Sequence, residues 1–221
     1  VRRAGILALA CAAVAAWPPA AGATNECRGL KVCVPVAGPW VVAAGPAEVR
    51  YQLACPRRFV VGGLDAELSS RDVDVAFRGA LGSPVNPGIT TSSSAVFLGR
   101  LLARGRPAVF RPHIGCIPTQ GGGRRFPTAF APGRPLAPTT VELAVRAGVR
   151  RLVERCPAGR RMAGASTAVG IYTAAVPTVA EMLGVDVVEH TFADHVEVVV
   201  RAQPSRARRV VQVDLDCSSA P

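Results

Sequence analysis

Lysine is nearly missing from this sequence: Lys31 is the only one among 26 basic residues, and the rest are arginine. Histidine is scarce too, with His113, His190 and His195 the full set, so imidazole chemistry has few places to reside. Aromatic residues make up 5% and none alternates with arginine, which removes the stacking platform of single-strand nucleic-acid binders. There is no Walker loop and no G-x-G-x-x-G behind a strand, so no phosphate cradle is marked and no cofactor is expected. Ser92, Ser93, Ser94 and Ser166 lie outside any G-x-S-x-G elbow. No pair of cysteines has the C-x-x-C spacing of a zinc ribbon.

What is present points first to export. Arg2 and Arg3 open the chain, Ala4 to Ala16 is apolar, and Ala21-Gly22-Ala23 offers small residues for cleavage, which reads as a secretory signal over residues 1–23. A membrane span needs about 20 apolar residues, and Trp17-Pro18-Pro19 breaks this run sooner. No later stretch qualifies as a transmembrane segment, so a secreted or extracytoplasmic chain beginning at Thr24 is expected. Removing Cys11 with the signal leaves Cys27, Cys33, Cys55, Cys116, Cys156 and Cys217. An even set in an oxidising compartment is read as disulfides.

The formal charge is +11, lowered by two when Arg2 and Arg3 are lost. Such a balance attracts polyanions, and an anionic cell-surface polymer is the partner it points to. Export sets intracellular nucleic acid aside. Arginine doublets occur at Arg57-Arg58, Arg124-Arg125, Arg150-Arg151 and Arg160-Arg161, with a cluster at Arg206 to Arg209.

An internal repeat organises the rest. Cys55-Pro56 and Cys156-Pro157 stand the same number of residues ahead of Cys116 and Cys217, and each follows a strand pair, Trp40 to Cys55 and Val141 to Cys156. Aligning RYQLACPRRFVVGG with RLVERCPAGRRMAGA places Gly62 over Gly164 through one inserted residue. Val49, Tyr51, Leu53 and Cys55 share one face of a strand, as do Val211, Val213, Leu215 and Cys217, and Phe110, Ile114 and Cys116. Arg111 and His113 fall on the opposite, solvent face, and so do Gln212, Asp214 and Asp216. Cys156 shares its face with Leu152 but also with Arg150 and Glu154.

The repeat proposes Cys55 with Cys116 and Cys156 with Cys217, leaving Cys27 with Cys33 as a clasp within residues 24–37. The expectation is a mainly β chain of two small disulfide-pinned, sandwich-like modules, at residues 38–118 and 139–221. Residues 119–138, with three consecutive glycines and four prolines, read as a linker, and Gly82 to Ser94 as a long loop. Further strands are expected at Ala95 to Leu102 and His195 to Arg201, and a short helix at Thr178 to Leu183.

Cys156-Pro157-Ala158-Gly159, followed by Gly164 and closed by a strand ending in Cys217, resembles the Cys-Pro-x-Gly repeats of uncharacterised secreted proteins of actinobacteria. The resemblance implies a secreted β module with a disulfide and no assigned activity. Arg58 stands where the glycine would follow Cys55-Pro56.

Two clusters could carry chemistry. His190, Asp194, His195 and Glu197 are the candidate metal ligands, but on one extended strand His190 and Asp194 face away from His195 and Glu197, so no metal is expected. Asp65, Glu67, Asp72 and Asp74 form an acidic patch without the spacing of a carboxylate pair or a calcium loop. The leading expectation is a secreted, non-enzymatic structural or binding module. The alternatives are a small secreted hydrolase or metal-dependent enzyme near His190 to Glu197, and a binder of anionic surface polymers.

Overall fold

The computed structural model describes residues 25–79, 92–102, 106–119 and 139–219. The expected signal segment lies outside the described residues, as do residues 120–138 of the expected linker and 82–91 of the expected loop. The protein is mainly β. Seven strands come first: β1 (Val34–Ala37), β2 (Trp40–Ala43), β3 (Val49–Ala54), β4 (Phe59–Leu68), β5 (Val73–Gly79), β6 (Ser94–Leu101) and β7 (Ala108–Pro118). The remainder are β8 (Thr139–Val145), β9 (Gly148–Arg155), β10 (Arg160–Tyr172), the helix α1 (Val179–Leu183), β11 (Val185–Thr191), β12 (His195–Ala202) and β13 (Arg208–Ser219).

Period-2 alternation decides what faces inward. Tyr51, Phe97, Phe110, Ile114 and Cys116 are fully buried in one cluster, filling the space between the β3-β6-β5 sheet and strands β2, β4 and β7. Val196, Val198, Val200, Val211, Val213 and Leu215 build a second cluster between the β11-β12-β9 sheet and strands β8, β10 and β13. Each is a pair of facing sheets with alternate side chains pointing into it, the arrangement of a sandwich.

All three expected disulfides are present: Cys27 with Cys33, Cys55 with Cys116, and Cys156 with Cys217. The two long-range bridges each tie the end of one facing sheet to the other, with Cα atoms 5.7 and 5.8 Å apart. Cys156 packs against the second cluster together with Leu152, even though Arg150 and Glu154 share its side of β9.

The second half follows the first in strand pairing. β3-β6-β5 matches β9-β12-β11, and the β4–β7 ladder matches β10–β13. Val61 opposes Cys116 and Met162 opposes Cys217, and each ladder then skips one residue before Gly63 and Gly164. Gly63, not Gly62, therefore corresponds to Gly164, and no insertion separates the two segments. A bulge carries an unpaired residue in both ladders, so matching glycines by eye shifts the alignment by one. At the Cys-Pro turns Arg58 and Gly159 occupy the same place, both left-handed, with φ of 70° and 78°. Phe59 N–H donates to Pro56 C=O and Arg160 N–H to Pro157 C=O, closing the two turns alike.

The halves are also joined by strands. β2 pairs with β7 on one side and with β10 on the other, through Val41 with Gly170 and Trp40 with Ile171, so one seven-stranded sheet runs through both. Trp40, Val42, Val109 and Ile171 form a third buried cluster at this junction, closed by Met182 of α1. The helix begins with a capping box, Thr178 accepting from the Glu181 N–H while the Glu181 carboxylate accepts from the Thr178 N–H. At its other end the buried Arg209 guanidinium donates to the carbonyls of Gly184 and Gln203.

Candidate functional site

The candidate metal ligands sit at the tip of the β11–β12 hairpin. The chain reverses at Phe192-Ala193-Asp194, closed by the Phe192 N–H donating to the His195 carbonyl. His190 and Glu197 are consequently direct cross-strand partners and share a face with His195. The separation expected for a single extended strand does not occur, because the turn folds one half of the segment onto the other.

Charge pairing uses up these groups. Asp194 lies 2.6 Å from His195 Nδ1 and accepts from Arg155 at 2.7 Å, while Glu197 accepts from Arg151 at 2.5 Å. The Phe192 ring stacks on His195 with centroids 4.5 Å apart. The contact with His195 holds the Asp194 carboxyl below the usual aspartate range, and the bond from Arg151 does the same for Glu197. Asp194 is exposed and Glu197 half-buried, and both anions already face arginine. Among the described residues no group of three or more His, Cys, Asp and Glu is arranged to hold a metal ion. An Asp–His contact is half of a nucleophile-activating constellation. Ser166, however, is in β10 opposite Asp214, in a different sheet, and Ser92 Oγ donates to the Ser94 carbonyl.

His113 is not on a solvent face. It is 7% exposed, beneath the segment held by the Cys27–Cys33 bridge, with Glu26 and Glu67 carboxylates each 3.8 Å from its ring nitrogens. The clasp rests so closely on β4 and β7 that a Cβ at Gly63 or Gly115 would collide with the Glu26 carbonyl. Only glycine admits that approach. Burial pushes the His113 pKa down, helped by Arg111 and opposed by Glu26, Glu67 and Asp65. Asp65 also accepts the Asn25 N–H, so the acidic patch divides: Asp65 and Glu67 serve the clasp, Asp74 pairs with Arg100, and Asp72 bonds Ser70.

The third polar constellation joins the halves, and alternation along β13 had placed its main members in solvent. Gln212 is 4% and Asp214 9% exposed, because β3 lies across them. The Gln52 N–H donates to Gln212 Oε1 at 2.5 Å, and Gln212 Nε2 donates to the Gln52 carbonyl at 2.9 Å. One carboxamide thus closes the free edge of β3 as a neighbouring peptide would. Arg50 pairs with Asp216 at 3.0 Å, and the Tyr51 hydroxyl donates to Glu142 at 3.1 Å, with Arg208 bridging Glu142 and the Tyr172 ring. Burial pushes the Tyr51 phenol far above its ordinary range, keeping it a donor. Burial also raises the Asp214 carboxyl to about 6, against the opposing bond from Thr140, and its Oδ1 has no hydrogen-bond partner.

No protein family, curated protein or solved structure matches this chain.

Proposed function

We propose that the chain is a secreted, non-enzymatic binding scaffold made of one duplicated, disulfide-pinned sandwich unit, of the Cys-Pro-x-Gly kind found in actinobacteria. The observation that carries this reading is the seam. Gln212 and Tyr51, polar groups drawn out of solvent between the halves, bond one sandwich to the other through Gln52 and Glu142. Rigid attachment of two small units, with charged hairpins and strand edges left outside, suits a scaffold that presents surfaces. Three bridges favour an oxidising compartment.

The reading requires that a tagged full chain produced in an exporting bacterium leave the cytoplasm and lose its first 23 residues. It also requires intact masses before and after reduction that differ by three bridges. Recovery from the cytosol with free thiols would end it. Turnover of an ester or peptide substrate that vanishes in His195→Ala would replace it with the hydrolase reading.

A second reading is favoured by the basic turns. Among the described residues Arg57, Arg58, Arg160 and Arg161, around the two Cys-Pro turns, have no ion-pair partner. Binding to an anionic wall polymer would then fall steeply with salt, as counterion release demands. Retention on the polymer that ignored salt would remove it.

A further inference from the structure

Among the described residues β9 is an edge strand, paired only with β12. Its counterpart β3 has the same place in its sheet, but there the outer edge is closed by Gln212. That closure reveals the polarity of the edge. The N–H and the carbonyl of Gln52 both point away from β6, and in an antiparallel ladder residues two apart share that direction. Gln52 opposes Val96 and Val153 opposes Glu197, equivalent positions in the two ladders. Val149, Arg151, Val153 and Arg155 accordingly turn their peptide groups outward from β9. Their side chains share one face, on which Val149 is 69% and Val153 45% exposed, the former more than any other large apolar residue described. Arg151 and Arg155 alternate with them, their side chains 62% and 63% exposed even with Glu197 and Asp194 as neighbours.

Resting on the reading of the chain as a binding scaffold, we propose that the outer edge of β9 takes up an extended segment of a partner protein as an added strand. Carboxylate and β-branched side chains take turns at every second residue of that segment, on the one face that meets β9, the carboxylates facing Arg151 and Arg155 and the others covering Val149 and Val153. Main-chain bonds supply the affinity in this mode and alternate side chains the selectivity. The opposite edge of the same sheet, β11, carries Asp186 and Glu189 and would repel the same segment.

The probe is a labelled, end-capped octapeptide in which glutamate and valine take turns at the odd positions with threonine between them, titrated into the oxidised full chain with anisotropy as readout, alongside a peptide of equal length with lysine in place of glutamate. Saturable binding at least tenfold tighter for the acidic peptide is expected, with amide-exchange protection gained across residues 148–155. Val153→Pro removes only an outward N–H, a substitution an edge strand tolerates, and should weaken binding at least tenfold. Val149→Asp, at a side chain outside the core, should weaken it similarly with the melting temperature held. Equal binding of both peptides, protection at β5 or β11 instead, or unchanged affinity in both variants overturns the proposal. Loss of peptide binding with retention on an anionic wall polymer intact overturns the edge site while leaving the scaffold reading standing.

Discussion

β7 and β13 hold the same station in the two sandwiches, and His113 on one corresponds to Asp214 on the other. Each lies on the outer face of its sheet, each is buried, and each retains one polar atom without a hydrogen-bond partner among the described residues, Nε2 of His113 and Oδ1 of Asp214. What covers them differs. The clasp of residues 25–33 seals the first face, and the β3 edge of the first sandwich seals the second. A single sheet design has been completed once by a disulfide loop and once by a neighbour. The outer face of a small sandwich is therefore as much a packing surface as its inner one. The matched edges show the same thing from the other side, since among the described residues β3 is spent on this contact and β9 keeps an unpaired edge.

The sharpest way to break the comparison is to remove the bridges that the halves share. Replacing both members of Cys55–Cys116, or both of Cys156–Cys217, with alanine opens a loop spanning 61 residues in each case. Chain entropy puts the loss near 4 kcal/mol for either, so denaturant unfolding should show each half falling away first in its own variant.

Next comes the pH response of the two covered positions. The raised Asp214 carboxyl favours the folded state in acid, and that contribution is lost as pH rises from the ordinary aspartate value through about 6. Asp214→Asn should therefore stabilise the chain at neutral pH by about 3 kcal/mol and leave it unchanged well below pH 4. Equal melting temperatures of variant and parent at neutral pH would show that the carboxylate is not strained there. His113 runs the other way. Its lowered pKa means that stability is lost as pH falls below the ordinary histidine value near 6.5, and His113→Gln should flatten that part of the denaturation profile.

Gln212→Ala leaves the β3 edge unpaired against a buried face and should cost about 2 kcal/mol. Hydrogen exchange would register it as faster opening of residues 49–54, with β9 unchanged. The smallest effect is at the Cys-Pro turns. Arg58→Gly should gain about 1 kcal/mol and Gly159→Arg lose a similar amount, because only the arginine side chain is strained at positive φ. Matched melting curves of the two variants are the check.

Some of this was legible in the order of residues. The alternation of Val49 to Cys55 and Val211 to Cys217 announced strands and faces, because period is a local property, and the repeated spacing of the cysteines proposed the pairings found. Arg58 stands where the second half has Gly159, and only the backbone shows that both are left-handed. The hairpin at Phe192 to Asp194 was hidden, since it interrupts an otherwise strand-like run with no glycine or proline to mark it. Glu26 carried no signal of its burial under the clasp, and Gln212 and Asp214 none of theirs under β3.

The sequence by itself determined which side chains alternate to one face and proposed which cysteines meet, because the first follows from the two-residue period of a strand and the second from a spacing repeated in both halves. Only the tertiary structure decided whether an outward side chain meets water or another sheet. A polar residue on the far side of a strand has the same periodicity in either case, and what covers it comes from a segment distant in the chain.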